Sequence, residues 1–177
     1  MTKMAASDVL ELLDYLGGDG IQVWLNGGWG VDALLGRETR EHEDLDITIS
    51  AADRKTYTNL MAELGFTTFR VDNDFNWVLM DSQGRLVDVH LVDFSETRQD
   101  DHGAKIYGQA GLPFEVGSLD GGGEIVGRKV KCETADSQVR GHTRYTPDQQ
   151  DYEDVLTLCR TFSIEVPEVF KSMGFTT

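Results

Sequence analysis

Cysteine is scarce in these 177 residues. Cys132 and Cys159 are the two present. They lie at no metal-ligand spacing, which excludes a zinc module built on thiolates and leaves both as expected buried thiols of a reducing compartment. Positive charge is also in short supply: 16 Lys and Arg against 31 Asp and Glu give a net charge of −15. Such a surface repels a polyanion, so a DNA or RNA substrate is disfavoured. A cationic small molecule is attracted by the same field, although an acidic surplus can also serve solubility alone. Long hydrophobic runs are missing, as are repeats and low-complexity tracts. No segment has the length of a membrane span, and the first residues, Met1 to Asp8, lack the apolar stretch of a signal peptide. The expectation is a cytoplasmic protein with no membrane partner. Hydrophobic residues make up 40% of the chain, enough for a substantial core in one domain or in a domain with a small appendage.

What is present is concentrated between Val23 and Ile49. Val23-Trp24-Leu25 suits a short buried strand, and Gly27-Gly28 lets backbone approach a ligand ahead of a helix from about Trp29 to Leu35. Helix starts offer unpaired N–H groups and the positive dipole end, which suit a phosphate. Gly36 fits the end of that helix. A charged turn, Arg37 to Glu43, then leads into Asp44-Leu45-Asp46-Ile47-Thr48-Ile49. Alternate residues of a strand share a face, so Leu45, Ile47 and Ile49 can enter a core while Asp44 and Asp46 face an open site. Two adjacent carboxylates repel each other and call for a cation, and magnesium takes carboxylate and phosphate oxygens. Alone, a Gly-Gly pair is usually a turn and an Asp-x-Asp a solvated strand edge. Their order and separation make one compact unit that brings phosphate and metal chemistry to one end. Arg40 and His42, in the intervening turn, are candidate phosphate contacts, with ordinary surface charge as the plainer reading.

Elsewhere, Ser7 can cap a helix running to about Leu16, and Ser50 with Asp53 can start another carrying Tyr57, Leu60, Met61 and Leu64 on its buried stripe. Strands are expected at Thr67 to Val71, Trp77 to Met80 and Leu86 to Val92, the last two joined by the turn Asp81-Ser82-Gln83-Gly84. In Leu86-Val87-Asp88-Val89-His90-Leu91, Asp88 and His90 share a face, and a carboxylate in so apolar a strand needs a cation, a hydrogen-bond network or solvent. His90 can assist proton removal or orient a hydroxyl; a sheet histidine with a backbone partner is the alternative. Beyond Phe94, polar residues and the glycine-rich stretch 108–123 read as long loops with short strands. A hairpin follows over Glu124 to Cys132, and Thr134 can cap a short helix. Thr146, Pro147 and Gln149 mark the start of a final helix whose stripe is Tyr152, Val155, Leu156 and Cys159. Asp151 and Asp154 beside that stripe can meet a cationic acceptor or form a solvated face. Tyr145 and Trp77 can stack on a base or sugar, or belong to the core.

Gly27-Gly28 followed by Asp44-x-Asp46 resembles the signature of the nucleotidyltransferase superfamily with a polymerase-β-like fold. The longer stretches Trp24 to Asp32 and Arg40 to Ile47 resemble the short lincosamide nucleotidyltransferases, with the aminoglycoside O-nucleotidyltransferases as near neighbours. The likeness continues through Leu86 to His90 and Gly127 to Cys132, and so covers most of the chain. It implies an α+β fold: a mixed sheet flanked by helices, with residues 1–95 as the nucleotidyltransferase core and 96–177 as a loop, hairpin and helix region shaping the acceptor site. It also implies a magnesium site, of two ions, on Asp44, Asp46 and Asp88, with Asp88 as general base. ATP or another nucleoside triphosphate is then the co-substrate, bound through Gly27, Gly28, Arg40 and His42. A lincosamide hydroxyl is the first expected acceptor and an aminoglycoside the second, with His90, Tyr145 and Asp151 as candidate acceptor contacts and a homodimer as a possible assembly. A toxin-like enzyme that modifies protein and an inactive nucleotide-binding protein are the rival readings; the second is weakened because all three aspartates are retained.

Overall fold

Alternating apolar residues in the strands set the architecture of this computed structural model, which describes residues 2–172. The first helix, α1 (Ala6–Gly18), is followed by β1 (Val23–Leu25), α2 (Gly27–Leu35) and β2 (Asp44–Ser50). A short 3-10 turn over Ala51–Asp53 leads into α3 (Arg54–Glu63), and then come β3 (Thr67–Asn73), β4 (Asn76–Met80) and β5 (Leu86–Val92). The rest of the chain supplies β6 (Thr97–Gln99), β7 (Lys105–Tyr107), β8 (Gly121–Ile125), β9 (Arg128–Cys132), α4 (Ala135–Gly141), α5 (Gln149–Phe162) and α6 (Glu168–Ser172). Among the described residues the main sheet has seven strands in the order β3-β4-β5-β2-β1-β9-β8, and β6 and β7 pair separately. The β2/β5 and β1/β9 pairs are parallel and the others antiparallel, so the sheet is mixed. No helix among the described residues is long and apolar enough to cross a membrane.

Leu45, Ile47 and Ile49 of β2 and Val87, Val89 and Leu91 of β5 are almost fully buried, and they pack with Val9, Leu12 and Leu16 of α1 and Tyr57, Leu60 and Met61 of α3. A second cluster joins Val31 of α2 to Val139 of α4, Val155, Leu158 and Cys159 of α5 and Phe170 of α6. Helix α2 is caught between the two clusters. Trp29 through Ala33 are consecutively buried, as expected of a helix covered on all sides.

Several boundaries differ from the sequence expectations, each for a local reason. Helix α1 starts after Ala5, not at Ser7, because Asp8 reaches back to accept the Ala5 N–H at 2.9 Å. Helix α2 begins at the glycine pair itself rather than at Trp29. Ser50 does cap, its hydroxyl accepting from Ala52 N, but it caps the 3-10 turn ahead of α3, and Leu64 ends up exposed rather than in the stripe. Helix α5 starts two residues later than Thr146 would place it: Asp148 and Asp151 exchange backbone-to-carboxylate bonds of 2.9 Å. Leu158 takes the fully buried place expected for Leu156. Thr134 caps α4 as expected.

The largest departure is at the glycines. Gly121–Gly123 belong to β8, not to a loop, and β9 joins β8 to the central sheet beside β1. A Cβ on Gly123 would collide with the Ala33 backbone, so absence of a side chain is what lets this strand lie against α2.

Candidate active site

The β2/β5 register decides which carboxylates meet. Asp46 lies directly opposite Asp88, and Thr48 opposite His90, with adjacent strands running the same way. One ligand atom each from Asp46, Asp88 and His90 can be chosen so that all lie within 4.8 Å of one another. Asp44, two residues earlier on the same face of β2, opens onto a cavity of about 700 Å³ together with Asp46 and His90. Asp88 sits beside Asp46 but does not line the cavity itself. Its Oδ1 accepts from Asn76 Nδ2 at 2.5 Å and faces His90 Nε2 at 3.3 Å, while Oδ2 lies 3.7 Å from Arg70.

Crowding shows in the acid–base behaviour. Burial, and then the Asp44 charge, push the Asp46 carboxyl up to about 7. Asp44 is raised too, by the protein around its carboxyl and then by Asp88. Burial opposes a charge on His90, but the Asp88 hydrogen bond and the Asp46 charge outweigh it and raise the imidazole above its usual value. Carboxylates this close, held by register and each disfavouring its neighbour's charge, form a donor set that suits a divalent cation. Asn26, at the N-terminal boundary of α2, adds an orphan: its Nδ2 donates to Thr48 Oγ1 at 2.7 Å and lies 3.2 Å from His90 Nδ1, but its buried Oδ1 has no partner and the residue lines the cavity.

The glycine pair brings the helix start to this cluster. Gly27 has φ +51°, and a Cβ there would run into the Asp46 carboxylate. Only glycine lets β2 and the first turn of α2 approach so closely. Gly28 and Arg40 line the same cavity. His42 does not, which corrects its expected place: the ring is 2% exposed, with Nε2 2.6 Å from Asp32 Oδ2 and Nδ1 2.9 Å from Arg40. It stands behind Arg40, against the first turn of α2 and apart from the residues that line the cavity.

The opposite wall comes from the later half of the chain. Tyr145 and Asp151 line it and meet each other, the Tyr145 hydroxyl donating to Asp151 at 2.7 Å. Burial and this bond raise the Tyr145 hydroxyl above its ordinary value. His142 Nε2 lies 3.6 Å from the same carboxylate, and its Nδ1 donates to the Gln138 carbonyl at 2.7 Å. Asp154 is not on a solvated face: it is buried and paired with Arg40 at 3.2 Å, because α5 turns that side toward the α2 end of the sheet. Trp77 is core, 7% exposed, with the Arg54 guanidinium 4.9 Å above its ring.

Sequence reasoning missed Asn26, Glu133, Gln138, His142 and Arg144, all of which line the cavity. Glu133 follows β9, accepts from the Ser137 hydroxyl at 2.5 Å, and is pushed upward by burial. The polar residue Asn26 between a buried strand and a glycine pair was a readable signal. Nothing short of the β1/β9 pairing could have brought Glu133 to the site.

Comparison with known proteins gives a consistent result. The model of the family described as aminoglycoside-2''-adenylyltransferase matches residues 8–158. The lincosamide resistance protein of Staphylococcus haemolyticus is 24% identical over 159 residues, covering 85% of this chain and 89% of that protein. A 2''-aminoglycoside nucleotidyltransferase of Escherichia coli is 40% identical over 45 residues, 25% of each chain. Among solved structures, the lincosamide antibiotic adenylyltransferase LnuA in its lincomycin-bound form superposes with a TM-score of 0.75 at 22% identity, covering 93% of this chain and 100% of that one. ANT(2'')-Ia in complex with adenylyl-2''-tobramycin gives 0.71 at 20% identity, covering 94% and 95%. The shared architecture is the polymerase-β-like nucleotidyltransferase fold expected from the sequence.

Proposed function

The chain belongs to the aminoglycoside-2''-adenylyltransferase family of nucleotidyltransferases, and we propose that it transfers a nucleoside monophosphate from ATP to a hydroxyl of a small-molecule antibiotic, a lincosamide first. The observation that carries this reading is Asp46, in register with Asp88 and pressed against the glycine-led start of α2, at one end of a cavity large enough for a drug-sized acceptor. The lincosamide choice rests on a relative matched over most of both chains.

In this reading the acceptor oxygen attacks the α-phosphorus in line, the bond to the bridging oxygen breaks and pyrophosphate leaves. The α2 N-terminus, Gly27, Gly28 and Arg40 hold the phosphates, so that positioning and electrostatics supply most of the acceleration. Asp44, Asp46 and Asp88 would hold magnesium, two ions by the family pattern, which supplies stabilisation of the attacking and leaving oxygens. Asp88 receives the hydroxyl proton, on the oxygen that Asn76 leaves free. His90 Nε2, 3.3 Å from the oxygen that Asn76 also meets, orients that carboxylate. Residues 96–177 shape the acceptor side through Tyr145 and Asp151; of these residues, 173–177 lie outside the described part. A cytoplasmic setting and a homodimer complete the reading.

One observation favours an aminoglycoside instead. Glu41, Glu43, Glu133, Asp148 and Asp151 all line the cavity and suit a polycationic acceptor. Incubation with labelled ATP, magnesium and a panel of lincosamides, aminoglycosides and proteins separates the readings. Label on lincomycin supports the first; label on an aminoglycoside alone overturns that acceptor choice; label on protein alone overturns the antibiotic reading.

A further inference from the structure

Asp32 lies in the middle of α2 with no exposed surface. A carboxylate buried among apolar residues is costly unless its oxygens are met by donors. Here both are. Oδ1 accepts the Thr39 backbone N–H at 3.1 Å and the Thr39 hydroxyl, and Oδ2 takes His42 Nε2 at 2.6 Å. The His42 ring packs on Trp29 with centroids 4.4 Å apart, and its other nitrogen, Nδ1, lies 2.9 Å from Arg40 NH1. A guanidinium can only donate, so Nδ1 accepts and the ring proton is on Nε2, directed at Asp32.

The far end of this chain of groups is at the cavity. Arg40 NH2 meets Asp154 of α5 at 3.2 Å, and NH1 also reaches the Glu41 carbonyl at 3.3 Å. A Cβ on Gly28 would strike both the His42 ring and Arg40 NH2, so the guanidinium lies against the backbone of the first turn of α2. Gln150, with its amide turned so that the oxygen faces a donor, sets that oxygen 2.7 Å from NH2 and 3.2 Å from Nε. An exposed amide oxygen over a guanidinium is an acceptor that a phosphate oxygen can replace.

We infer that Asp32 and His42 are positioning residues for nucleotide binding: the buried carboxylate fixes the imidazole tautomer, and the imidazole holds Arg40 at the helix start in the orientation that receives triphosphate oxygens. The inference rests on Arg40 as a phosphate contact, as proposed above. Neither residue touches the ligand; both act through Arg40. The device also explains why a histidine that reads as a phosphate contact in the sequence is placed out of the cavity's reach.

Asp32→Asn tests it with little change of shape. An amide has one acceptor oxygen, so it must either abandon the Thr39 N–H or turn an N–H toward His42 and reverse the tautomer, leaving Nδ1–H aimed at Arg40. The readouts are the calorimetric dissociation constant for ATP with magnesium, the KM values for ATP and for the acceptor, and a thermal melt to establish folding. The expected result is a loss of ATP affinity of about tenfold, the scale on which orienting partners act, with the acceptor KM unchanged. His42→Asn, whose amide oxygen replaces Nδ1, retains ATP affinity, and His42→Ala loses it.

The double-mutant cycle with Arg40→Ala is decisive. If Asp32 acts through Arg40, Asp32→Asn costs little more ATP affinity once Arg40 is gone. An equal loss in both backgrounds, or a folded Asp32→Asn protein with unchanged ATP affinity, overturns the positioning role. Unchanged affinity in Arg40→Ala alone overturns the phosphate contact itself, so the two failures are distinguishable.

Discussion

The two walls of the cavity are built on different principles. One, from Asn26 to Gly28 and from Asp44, Asp46 and His90, consists of strand residues and a helix start held by register, with Asp46 fixed against Gly27 by close backbone approach. The other, from Leu112 to Phe114 and from Glu133 to Asp151, is made of loop residues, helix ends and side chains such as Tyr145, which is 53% exposed. The first wall has little freedom: shifting β2 by one residue against β5 would separate Asp46 from Asp88 and turn Leu45 and Ile47 out of the core. The second can exchange side chains without disturbing the sheet. In the proposed function the reaction belongs to the rigid wall and the choice of acceptor to the adaptable one.

The sharpest way to break the contrast is at the rigid wall. Asp46→Asn is expected to lower transfer by about a thousandfold or more, with magnesium–ATP affinity lost in calorimetry and the circular dichroism spectrum unchanged; an Asp46→Asn protein that binds the complex normally counts against the carboxylate as a ligand. Asp88→Asn is expected to lower turnover by about a hundredfold or more while most of the ATP affinity remains. Near-normal turnover would remove Asp88 as base and ligand alike.

Effects at the adaptable wall should be smaller and of another kind. Asp151→Asn, and Tyr145→Phe beside it, are expected to raise the acceptor KM by about tenfold, roughly 1.4 kcal/mol, with the ATP KM unchanged. A fall in ATP affinity without a change in acceptor KM would reverse the assignment of the two walls. The smallest effect lies in the β8–β9 turn, where the β-branched Val126 holds φ +50° ahead of Gly127 and is 80% exposed. Val126→Asn gives the Asn-Gly pair that such a turn prefers and is expected to stabilise the fold by about 1 kcal/mol without touching transfer. A thermal melt measures it.

The same contrast governs how much could be read from the chain. Helix α2 and strands β1, β2, β4 and β5 were legible because local patterns dictate them: buried runs, alternation, a glycine end at Gly36 and the Asp81 turn, whose carboxylate accepts from Gln83 and Arg85 at 2.9 Å. The glycines of β8 were not, because Gly123 fits against Ala33, a partner ninety residues earlier that no local pattern reveals. The place of Asp154 was lost for the same reason, since its partner Arg40 lies 114 residues away. His42 sits in a motif, but its direction depends on Asp32, one helix earlier, and that choice appears only with tertiary packing.

The claim that joins both walls is that the nucleotide is cleaved between its α- and β-phosphates and its monophosphate moved to the antibiotic. Parallel reactions with lincomycin, magnesium and ATP carrying its label either in the α-phosphate or in the γ-phosphate test this directly. The expected result is α-label on the antibiotic and γ-label only in released pyrophosphate, both abolished in Asp46→Asn. Label from the γ-phosphate on the antibiotic, or α-label transfer that survives Asp46→Asn, would contradict it.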